Sequence, residues 1–505
     1  MKVRDIKTKR PWKRIRPVGY LSHGRFTSVE EPQMPTDTIE FDTVTQADFM
    51  REYYPTGHII NDPVVYPDIY REEEVPILDE NGEDTGRKVK RLYKEFVPRY
   101  AFAFQQIIAI KQIVHLCGND IQFELSKENP DKKEEESFVM YREGWLKKDM
   151  EIAFYECVKS IKTTGDGAIV GYLNNGVFGY KSLSFSNGDT LYPHYSERGE
   201  LEVFARSYFD YDENGNIVVE WLEVWDKQYL YRFRKSGTNY RNIFERIFGM
   251  LGVSGYSLIS KKVHGFPFVP VAYRRDNEGP CWSPSQDSID GFEMSFSQMA
   301  HNNQAYGEPI LMFQGENIDI NHDLNGTIKV LSMGTDDKAS YLQSQSASDS
   351  YMKQVDTLYK MIYKTSFIVD PPELKSGDLP AAALKILYSP AVEKAICDSN
   401  DFKPLLNDMV KIFSYGYGVE KEKTIEFSNL DMSYWIKPYV HVNESAIMAD
   451  LAIGVQNGFV SKQTASEKAS FYTTPSEWER IIREKKEEQE ADLLYEIQTS
   501  MKKEE

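Results

Sequence analysis

One long stretch constrains this chain most, because its helical and strand-like patterns alternate in an order unusual for an enzyme core. A helical pattern over residues 283–308 is followed by a short β-like insert over 309–345 and a second helical pattern over 346–369. A proline-rich loop then covers 370–380, and three alanines open a long helical pattern over 381–415. This order predicts a two-helix stalk with a β tip at one end and a stiff loop at the other.

Side chains of one stripe recur every three or four residues in both helical patterns. In the first pattern they are Ile289, Phe292, Phe296, Met299, Asn303 and Tyr306. In the second they are Met352, Val355, Tyr359 and Ile362. Ser283 and Pro284 are typical of a first helical turn, and Gly307 and Pro309 of a helix end. Two ordinary core helices would show the same periodicity, so the stripe alone leaves both interpretations open.

Three segments, in this order, resemble the portal proteins of tailed bacteriophages. They are RYAFAFQQIIAIKQIVHLCGNDIQFEL, then FPFVPVAYRRDNEG with the helices and loop that follow it, and near the end GVQNGFVSKQTASEKASFYTTPSEWERIIREKKEE. The resemblance spans about residues 99 to 485. The family's Ser-Gly-x-Ala-Leu-Lys element is present as Ser376-Gly377 and Ala383-Leu384-Lys385. Asp378, Leu379 and Pro380 are inserted between the two halves, followed by two further alanines.

The resemblance implies an α+β portal fold with an α/β wing, a two-helix stem, a small β clip, a long tunnel helix and a helical crown. The expected parts are a basic arm (1–60), the wing (61–282, completed by 416–442), the stem helices (283–308 and 346–369), the clip (309–345), the tunnel loop (370–380), the tunnel helix (381–415) and the crown (443–505).

The resemblance also implies the function and the partners. Identical subunits, twelve by family resemblance, would form a ring at one capsid vertex through which double-stranded DNA is packaged and ejected without sequence-specific contacts. The terminase large subunit, neck or adaptor proteins and the major capsid protein or scaffold would be the partners. We expect assembly in the host cytoplasm and a final location in the virion. The portal family makes the chain a structural protein rather than an enzyme.

Candidate contact residues follow from these expected parts. In the tunnel loop and tunnel helix, the residues expected to meet DNA are Lys375, Ser376, Gly377, Asp378 and Lys385. In the clip, the residues expected to dock partners are Asn321, Asp323, Asn325 and Lys329. For the loop, a plain surface connection between helices remains the alternative.

The overall charge argues against a protein that grips DNA tightly. The net charge is −18 and the sequence pI is about 5.1, whereas proteins that bind phosphates strongly are usually basic. An acidic wall suits a channel through which DNA slides, although solubility alone explains the charge equally well. The first residues are the exception, because Trp12 and Tyr20 interleave with a basic cluster. Its candidate polyanion contacts are Lys9, Arg10, Lys13, Arg14 and Arg16; a solvated tail is the alternative.

The cysteine and hydropathy patterns indicate the kind of compartment in which the chain folds. The four cysteines are widely spaced without a CxxC pair, which predicts neither a zinc site nor a disulfide framework and favours a reducing compartment. No apolar run approaches the ~20 residues that span a bilayer, and the N-terminus lacks the apolar core of a secretory signal. We therefore expect no membrane partner.

Secondary-structure patterns fill in the expected wing. A helix over Phe102–Cys117 is apolar almost all round, which predicts a buried helix. A helical region over residues 138–167 follows it. Recurring Asn-Gly and related turns between Ala168 and Tyr273 predict an antiparallel sheet of short strands. Pro390 and Pro404 should kink or divide the long tunnel helix, and TIEFSNLDMSYWIKP should return as strand and loop.

Sequence motifs that mark common classes of enzyme are absent. There is no G-x-x-x-x-G-K-[ST], so the chain is not the packaging ATPase, and neither H-E-x-x-H nor G-x-S-x-G occurs. The scattered histidines have no metal-ligand spacing, so we expect no catalytic residue, metal or cofactor. Two alternatives stay open from the residues: a capsid or tail adaptor without a DNA channel, and a hydrolase that uses Asp and Glu groups of the β region.

Overall fold

A computed structural model describes most of the 505 residues. The described ranges are 12–15, 41–78, 84–127, 130–235, 256–306, 310–314, 319–322, 328–332, 338–342, 347–370, 381–439, 444–468, 478 and 480–487. The helices are α1 (Gln46–Tyr53), α2 (Phe104–Cys117), α3 (Lys132–Lys147), α4 (Met150–Thr164), α5 (Gln286–Tyr306), α6 (Ala347–Thr365), α7 (Ala381–Glu420), α8 (Thr424–Ser428), α9 (Glu444–Gln456) and α10 (Lys462–Lys468).

Most of the strands lie before residue 276, and the others form short pairs later in the chain. They are β1 (Trp12–Ile15), β2 (Phe41–Val44), β3 (Ile69–Leu78), β4 (Asp84–Glu95), β5 (Gln122–Leu125), β6 (Asp166–Asn174), β7 (Val177–Leu183), β8 (Thr190–Tyr195), β9 (Leu201–Tyr211), β10 (Ile217–Trp225), β11 (Tyr229–Lys235), β12 (Tyr256–Val263), β13 (Val271–Arg275), β14 (Ile310–Gln314), β15 (Asp319–His322), β16 (Ile328–Ser332), β17 (Lys338–Leu342) and β18 (Met432–Trp435). This mixture of helix and strand is the α+β class predicted from the sequence.

Two antiparallel sheets occupy the region where turns recur. One has five strands in the order β12-β11-β10-β9-β8, and the other has three in the order β13-β6-β7. Asn175 (φ 50°) and Gly176 (φ 81°) make the turn between β6 and β7, as a two-residue hairpin requires. Phe204 and Trp225 of the first sheet share one apolar cluster with Val271 of the second. The predicted antiparallel strands of this region are confirmed.

The largest core joins α3 and α4 to the long helix α7. Trp145 and Phe154 are buried there against Met409 and Phe413. The helix α7 runs 40 residues without interruption, so of the two expected effects of proline, kinking or division, division is wrong. A proline removes one helical hydrogen bond, but the burial of flanking residues such as Leu405 holds the helix around Pro404 together.

The two helices of the predicted stalk, α5 and α6, pack antiparallel. Ser285 Oγ lies 2.8 Å from Thr365 Oγ1 near one end of the pair. Further along, Gln354 Nε2 donates to Ser295 Oγ at 3.0 Å. Residue numbers on the two helices thus rise in opposite directions. Part of the predicted stripe lies at the contact, where Phe292 and Ile362 are buried, whereas Met352 is 55% exposed.

The beginning of the chain differs from the extended arm predicted over residues 1–60. The strands β1 and β2 pair antiparallel, and α1 follows with Phe49 buried. Trp12 is 5% exposed, and its Nε1 donates to the carbonyl of Asp276 at 2.7 Å. Its ring packs edge-on against Phe49 at 5.4 Å. Packing of the Trp12 and Phe49 rings into the body of the protein buries more apolar surface than an extended arm would bury. This burial favours the packed arrangement.

Two other predictions need correction, and the helical region predicted over 138–167 is confirmed as a pair of helices. The helix α2 is not buried all round, because Ile110 and Val114 are 58% and 45% exposed in the single chain. The helical region over 138–167 is two helices, since Asp149 adopts the left-handed conformation (φ 54°) between α3 and α4. The segment TIEFS is the short helix α8, and only the following residues form a strand, β18, which pairs with β5.

The β insert contains two separate antiparallel ladders. The strand β14 pairs with β17, and β15 pairs with β16. The sequence Leu324-Asn325-Gly326-Thr327 predicts a two-residue hairpin turn, and these residues lie outside the described ranges.

A second compact unit comprises residues 369–393 and 439–505. Within it, α9 ends at Gln456 and is followed by Gly458 at φ 74°, a conformation that is common just after a helix end and favours glycine. Phe459 N donates to the Gly454 carbonyl at 2.9 Å, which closes this turn before α10.

Candidate functional site

A buried ion pair lies at the base of the α5–α6 pair. His58 lies between two short 3₁₀ turns after α1, and its Nδ1 is 2.7 Å from Glu293 Oε1 on α5. The side chains are 2% and 1% exposed. The same Glu293 oxygen accepts from Phe102 N at 2.7 Å, and His58 Nε2 lies 2.8 Å from the Glu52 carbonyl. Both ring nitrogens are engaged, so His58 holds α5 in place and cannot serve as a base without breaking this network.

Acidic groups cluster around this pair and shift its titration. Burial opposes the charged imidazole, but the hydrogen bond and the charge of Glu293 outweigh it and raise the pKa of His58. Burial raises the pKa of Asp290 to about 7, and the charges of Glu52 and Glu293 add to this effect. Glu52 Oε2 accepts from the indole nitrogen of Trp282 at 3.0 Å. At mildly acidic pH the carboxyl group of Asp290 in this cluster is therefore protonated and neutral.

A small cavity opens beside the ion pair. Its volume is about 220 Å³, and Asp48, Arg51, His58 and Gln286 are among the residues that line it. Neither a paired nucleophile and base nor a metal-binding cluster lies in the part of the chain that the structure describes. The cavity thus carries no recognisable catalytic arrangement among the described residues.

A second buried ion pair fixes the long helix α7. Lys162 Nζ on α4 lies 2.6 Å from Asp398 Oδ2, and the two side chains are 3% and 4% exposed. Lys162 also donates to Gln112 Oε1 at 3.2 Å, while Lys394 Nζ contacts the other Asp398 oxygen at 2.9 Å. Each buried charge is paired, as its desolvation requires.

The candidate DNA-contact residues fall largely outside the described residues. Lys375, Ser376, Gly377 and Asp378 lie within residues 371–380, outside the described ranges, and Lys385 lies in the first turns of α7. Their proximity to a channel therefore stays a prediction.

The candidate clip and arm residues are partly described. Asn321 lies in β15 and Lys329 in the paired strand β16, so these two are brought together, whereas Asp323 and Asn325 are outside the described residues. Lys13 and Arg14 lie in β1, opposite Thr43 and Asp42 of β2. Lys9, Arg10 and Arg16 lie outside the described residues.

Sequence reasoning missed both buried ion pairs. His58 and Glu293 are 235 residues apart, and Lys162 and Asp398 are 236 apart. No local pattern marks them, because a lysine or histidine in an apolar stretch is more often solvated or singly hydrogen-bonded than paired at such a distance in sequence.

No helix in the described ranges combines the length and the apolar character needed to cross a bilayer.

Comparisons with known proteins supply the family. Residues 43–491 match the family described as "Phage portal protein, SPP1 Gp6-like". No curated protein matches the chain. Among solved structures, a chain of the "Virion of native gene transfer agent (GTA) particle" is similar, with 10% identity and a TM-score of 0.36 over 73% of this chain and 88% of that one. A TM-score of this size is too low to assign a fold. The family match, in contrast, covers most of the sequence, and the chain belongs to the SPP1 Gp6-like family of phage portal proteins.

Proposed function

We propose that this portal protein forms a closed ring at one capsid vertex and that its centre is the channel for DNA. The observation that carries the proposal is the family match over residues 43–491. The antiparallel pair α5–α6, with strands between its two helices, agrees with the stem and clip that the family resemblance implies. Twelve copies is the number that the resemblance suggests.

An exposed apolar face supports assembly with further copies. Ile107, Ile110 and Val114 of α2 are 36%, 58% and 45% exposed, and their spacing places them on one face of the helix. A monomer gains nothing from such a face, whereas a neighbouring subunit would remove it from water. Heterologous contacts that close by rotation produce a ring from identical chains.

The channel proposal rests on charge and on the proline-rich loop. With twelve copies the formal charge is 12 × −18, or about −216, so the wall would repel DNA phosphates unless cations screen it. Lys375, flanked by Ser376 and Asp378 in the loop, would then make a weak contact with the backbone of passing DNA. Lys385 would follow it at the start of α7.

Partner docking is proposed for the strands between α5 and α6. In this proposal Asn321, Asp323, Asn325 and Lys329 contact the terminase large subunit during packaging and neck or adaptor proteins afterwards. The major capsid protein or scaffold surrounds the ring. The protein assembles in the host cytoplasm and has a mechanical role rather than an enzymatic one.

Imaging of the purified protein tests the ring. We expect negative-stain particles to be rings with a central hole, and Ile110→Glu to shift the population toward single subunits with unchanged circular dichroism. The matched control Ile110→Met keeps an apolar side chain and should keep the rings. Single subunits of the wild-type chain at high concentration would contradict the proposal.

A virion assay tests the loop. We expect Lys375→Ala to leave ring assembly intact and to change the amount of nuclease-protected DNA per particle. Lys147→Ala, at an exposed position of α3, is the control that removes the same charge elsewhere. An unchanged yield of packaged DNA in the Lys375 variant would count against the loop assignment.

A further inference from the structure

The hairpin of β3 and β4 is long and has little cover in the single chain. Its strands have 10 and 12 residues, and no third strand pairs with either one among the described residues. A two-stranded ladder of this kind is marginally stable in water without a further packing surface. Both outer edges of the hairpin are therefore open to a further strand in the described part of the chain.

Apolar side chains are exposed on both faces of the hairpin. Tyr93 and Val89 lie on one face, because their Cα partners are Arg71 and Val75; they are 43% and 52% exposed. Tyr70 and Leu92 lie on the other face, and each is 66% exposed. Apolar exposure on both faces of one ladder is typical of an interaction surface rather than of a sheet that covers its own core.

The base of the hairpin is held firmly, so the hairpin is a fixed element of the chain. Asp68, whose side chain is 4% exposed, accepts from Lys94 at 2.9 Å and from Arg99 at 2.7 Å. The next residue, Tyr100, donates its N–H to Ser297 Oγ of α5 at 3.0 Å and packs its ring on Phe296. The segment that follows the hairpin thus packs against the helix α5.

Charge on the two strands is opposite. The strand β3 carries Glu72, Glu73 and Glu74 in succession. The strand β4 carries its cations in one run, namely Arg87, Lys88, Lys90, Arg91 and Lys94. Two copies that met through the same strand would place like charges opposite each other, which is destabilising. A meeting of β4 in one copy with β3 in the next places opposite charges together.

We propose that hairpins of adjacent subunits pair side by side, β4 of one copy with β3 of the next, to form a continuous antiparallel collar around the ring. This proposal rests on the proposed ring. The partner is a second copy of this chain, because its acidic strand β3 complements the basic strand β4 of another copy. Only a head-to-tail arrangement lets every copy make this contact on both of its edges. Like-charge repulsion excludes the two-fold pairings that would stop growth at a dimer.

Backbone chemistry sets the extent of the collar. The outer edges of β3 and β4 have N–H and C=O groups that another strand can pair. Pro76 has no N–H, so pairing on the β3 edge runs over Ile69–Val75 and ends before the turn. When β3 of one copy pairs with β4 of its neighbour in the same register as within one hairpin, Glu72–Glu74 lie beside the basic part of that β4.

A sorting experiment with a charge-exchanged chain tests the collar. The exchanged chain carries Glu72→Lys, Glu73→Lys and Glu74→Lys together with K88E, K90E and R91E, so attraction between its own two strands is kept. Tagged exchanged chain and untagged wild-type chain are co-expressed, and rings recovered through the tag are weighed by native mass spectrometry. Tagged with untagged wild-type chain is the control, which must mix.

The expected result is sorting, with wild-type subunits depleted at least about tenfold from rings recovered through the tag, because each mixed contact sets like charges opposite each other. Free mixing of the two chains into rings would overturn the collar and leave the proposed ring intact. If the wild-type chain forms no ring, the proposed function and the collar both fall.

Two half-exchanged chains give a second test that does not depend on sorting. One carries only the three β3 changes and the other only the three β4 changes, so each alone has like charges both within the hairpin and between copies. We expect neither to form rings alone and an equimolar mixture to form alternating rings of both chains. Rings from either chain alone, or no rings from the mixture, would contradict the collar.

Discussion

His58 Nδ1 lies 2.7 Å from Glu293 Oε1, and this contact joins the chain just after α1 to the helix α5. Both side chains are almost fully buried. A buried pair of this kind contributes little by forming but costs much when one partner is lost. The position of α5 is therefore tied to the N-terminal part of the body by charge as well as by apolar packing.

Removing the histidine should destabilise the subunit. We expect His58→Ala to lower the free energy of unfolding by about 3 kcal/mol, because Glu293 would stay buried without its cation. Urea unfolding followed by tryptophan fluorescence measures the effect, with His301→Ala as the control. Adding Glu293→Gln to His58→Ala should cost less than the sum of the single changes. Equal midpoints for His58→Ala and the control would refute the prediction.

The same pair predicts a pH dependence. The folded-state pKa of His58 is above its ordinary value of 6.5, so the folded chain holds this proton more tightly than the unfolded chain. The resulting stability is fully present below pH 6.5 and is lost as the pH rises through the folded-state pKa. The melting-temperature gap between wild type and His58→Ala should therefore narrow from mildly acidic to alkaline pH; a constant gap would argue against it.

Asp290 should be a site where substitution stabilises the protein. Its pKa is about 7 in the folded chain against 3.8 ordinarily, so the folded state binds a proton between these values that the unfolded state releases. Stability from this group falls as pH rises through that window. We expect Asp290→Asn to gain on the order of 1–2 kcal/mol at pH 8 and nothing near pH 4. Thermal melts at both pH values, with exposed Asp287→Asn as control, decide the matter.

The second ion pair offers an internal comparison between two lysines on one carboxylate. Lys162→Met should cost about 3 kcal/mol, because it removes the fully buried cation from Asp398. Lys394→Met removes a cation whose side chain is 33% exposed, so solvent screening limits its cost to about 1 kcal/mol or less. Chemical denaturation of both variants measures the difference. Equal losses of unfolding free energy in the two variants would contradict the expected difference between the buried and the partly exposed lysine.

Two glycines inside helices should respond to alanine with opposite signs. A Cβ at Gly416 of α7 would lie 2.2 Å from Phe178 Cδ2, so Gly416→Ala should destabilise by about 1–3 kcal/mol. A Cβ at Gly291 of α5 would meet Leu358 at an ordinary 3.8 Å, and Gly291→Ala should stabilise by about 0.5–1 kcal/mol. Thermal melts of the two variants give the signs directly, and the same sign in both would refute this packing.

The regular elements were predictable from the sequence, since their signals are local. The step of three and four residues from Ile289 to Phe296 predicted α5, and the turn at Asn175-Gly176 predicted the β6–β7 hairpin. The exposed side of α2 was not predictable, because an apolar residue such as Ile110 carries no sign of whether its own chain or a second copy covers it.

The buried polar contacts were beyond the sequence for a different reason. Lys162 and Asp398 meet only after α4 and α7 have packed, so their pairing depends on the tertiary fold and has no local signature. Pro404 was misread as a helix divider because proline's local cost is visible in the sequence, while the apolar packing that outweighs it is not.

The burial of Trp12 limits how far the first residues of the chain can travel. Arg275 lies over its indole ring at 3.9 Å, and a Cβ at Gly165 would lie 2.9 Å from Trp12 Cζ2, so this residue is tightly enclosed. An extended chain spans at most about 3.6 Å per residue, so Lys9 can reach only about 11 Å from that point. If the predicted polyanion contacts exist, the tether at Trp12 therefore restricts Lys9 and Arg10 to an anion that comes close to this part of the body.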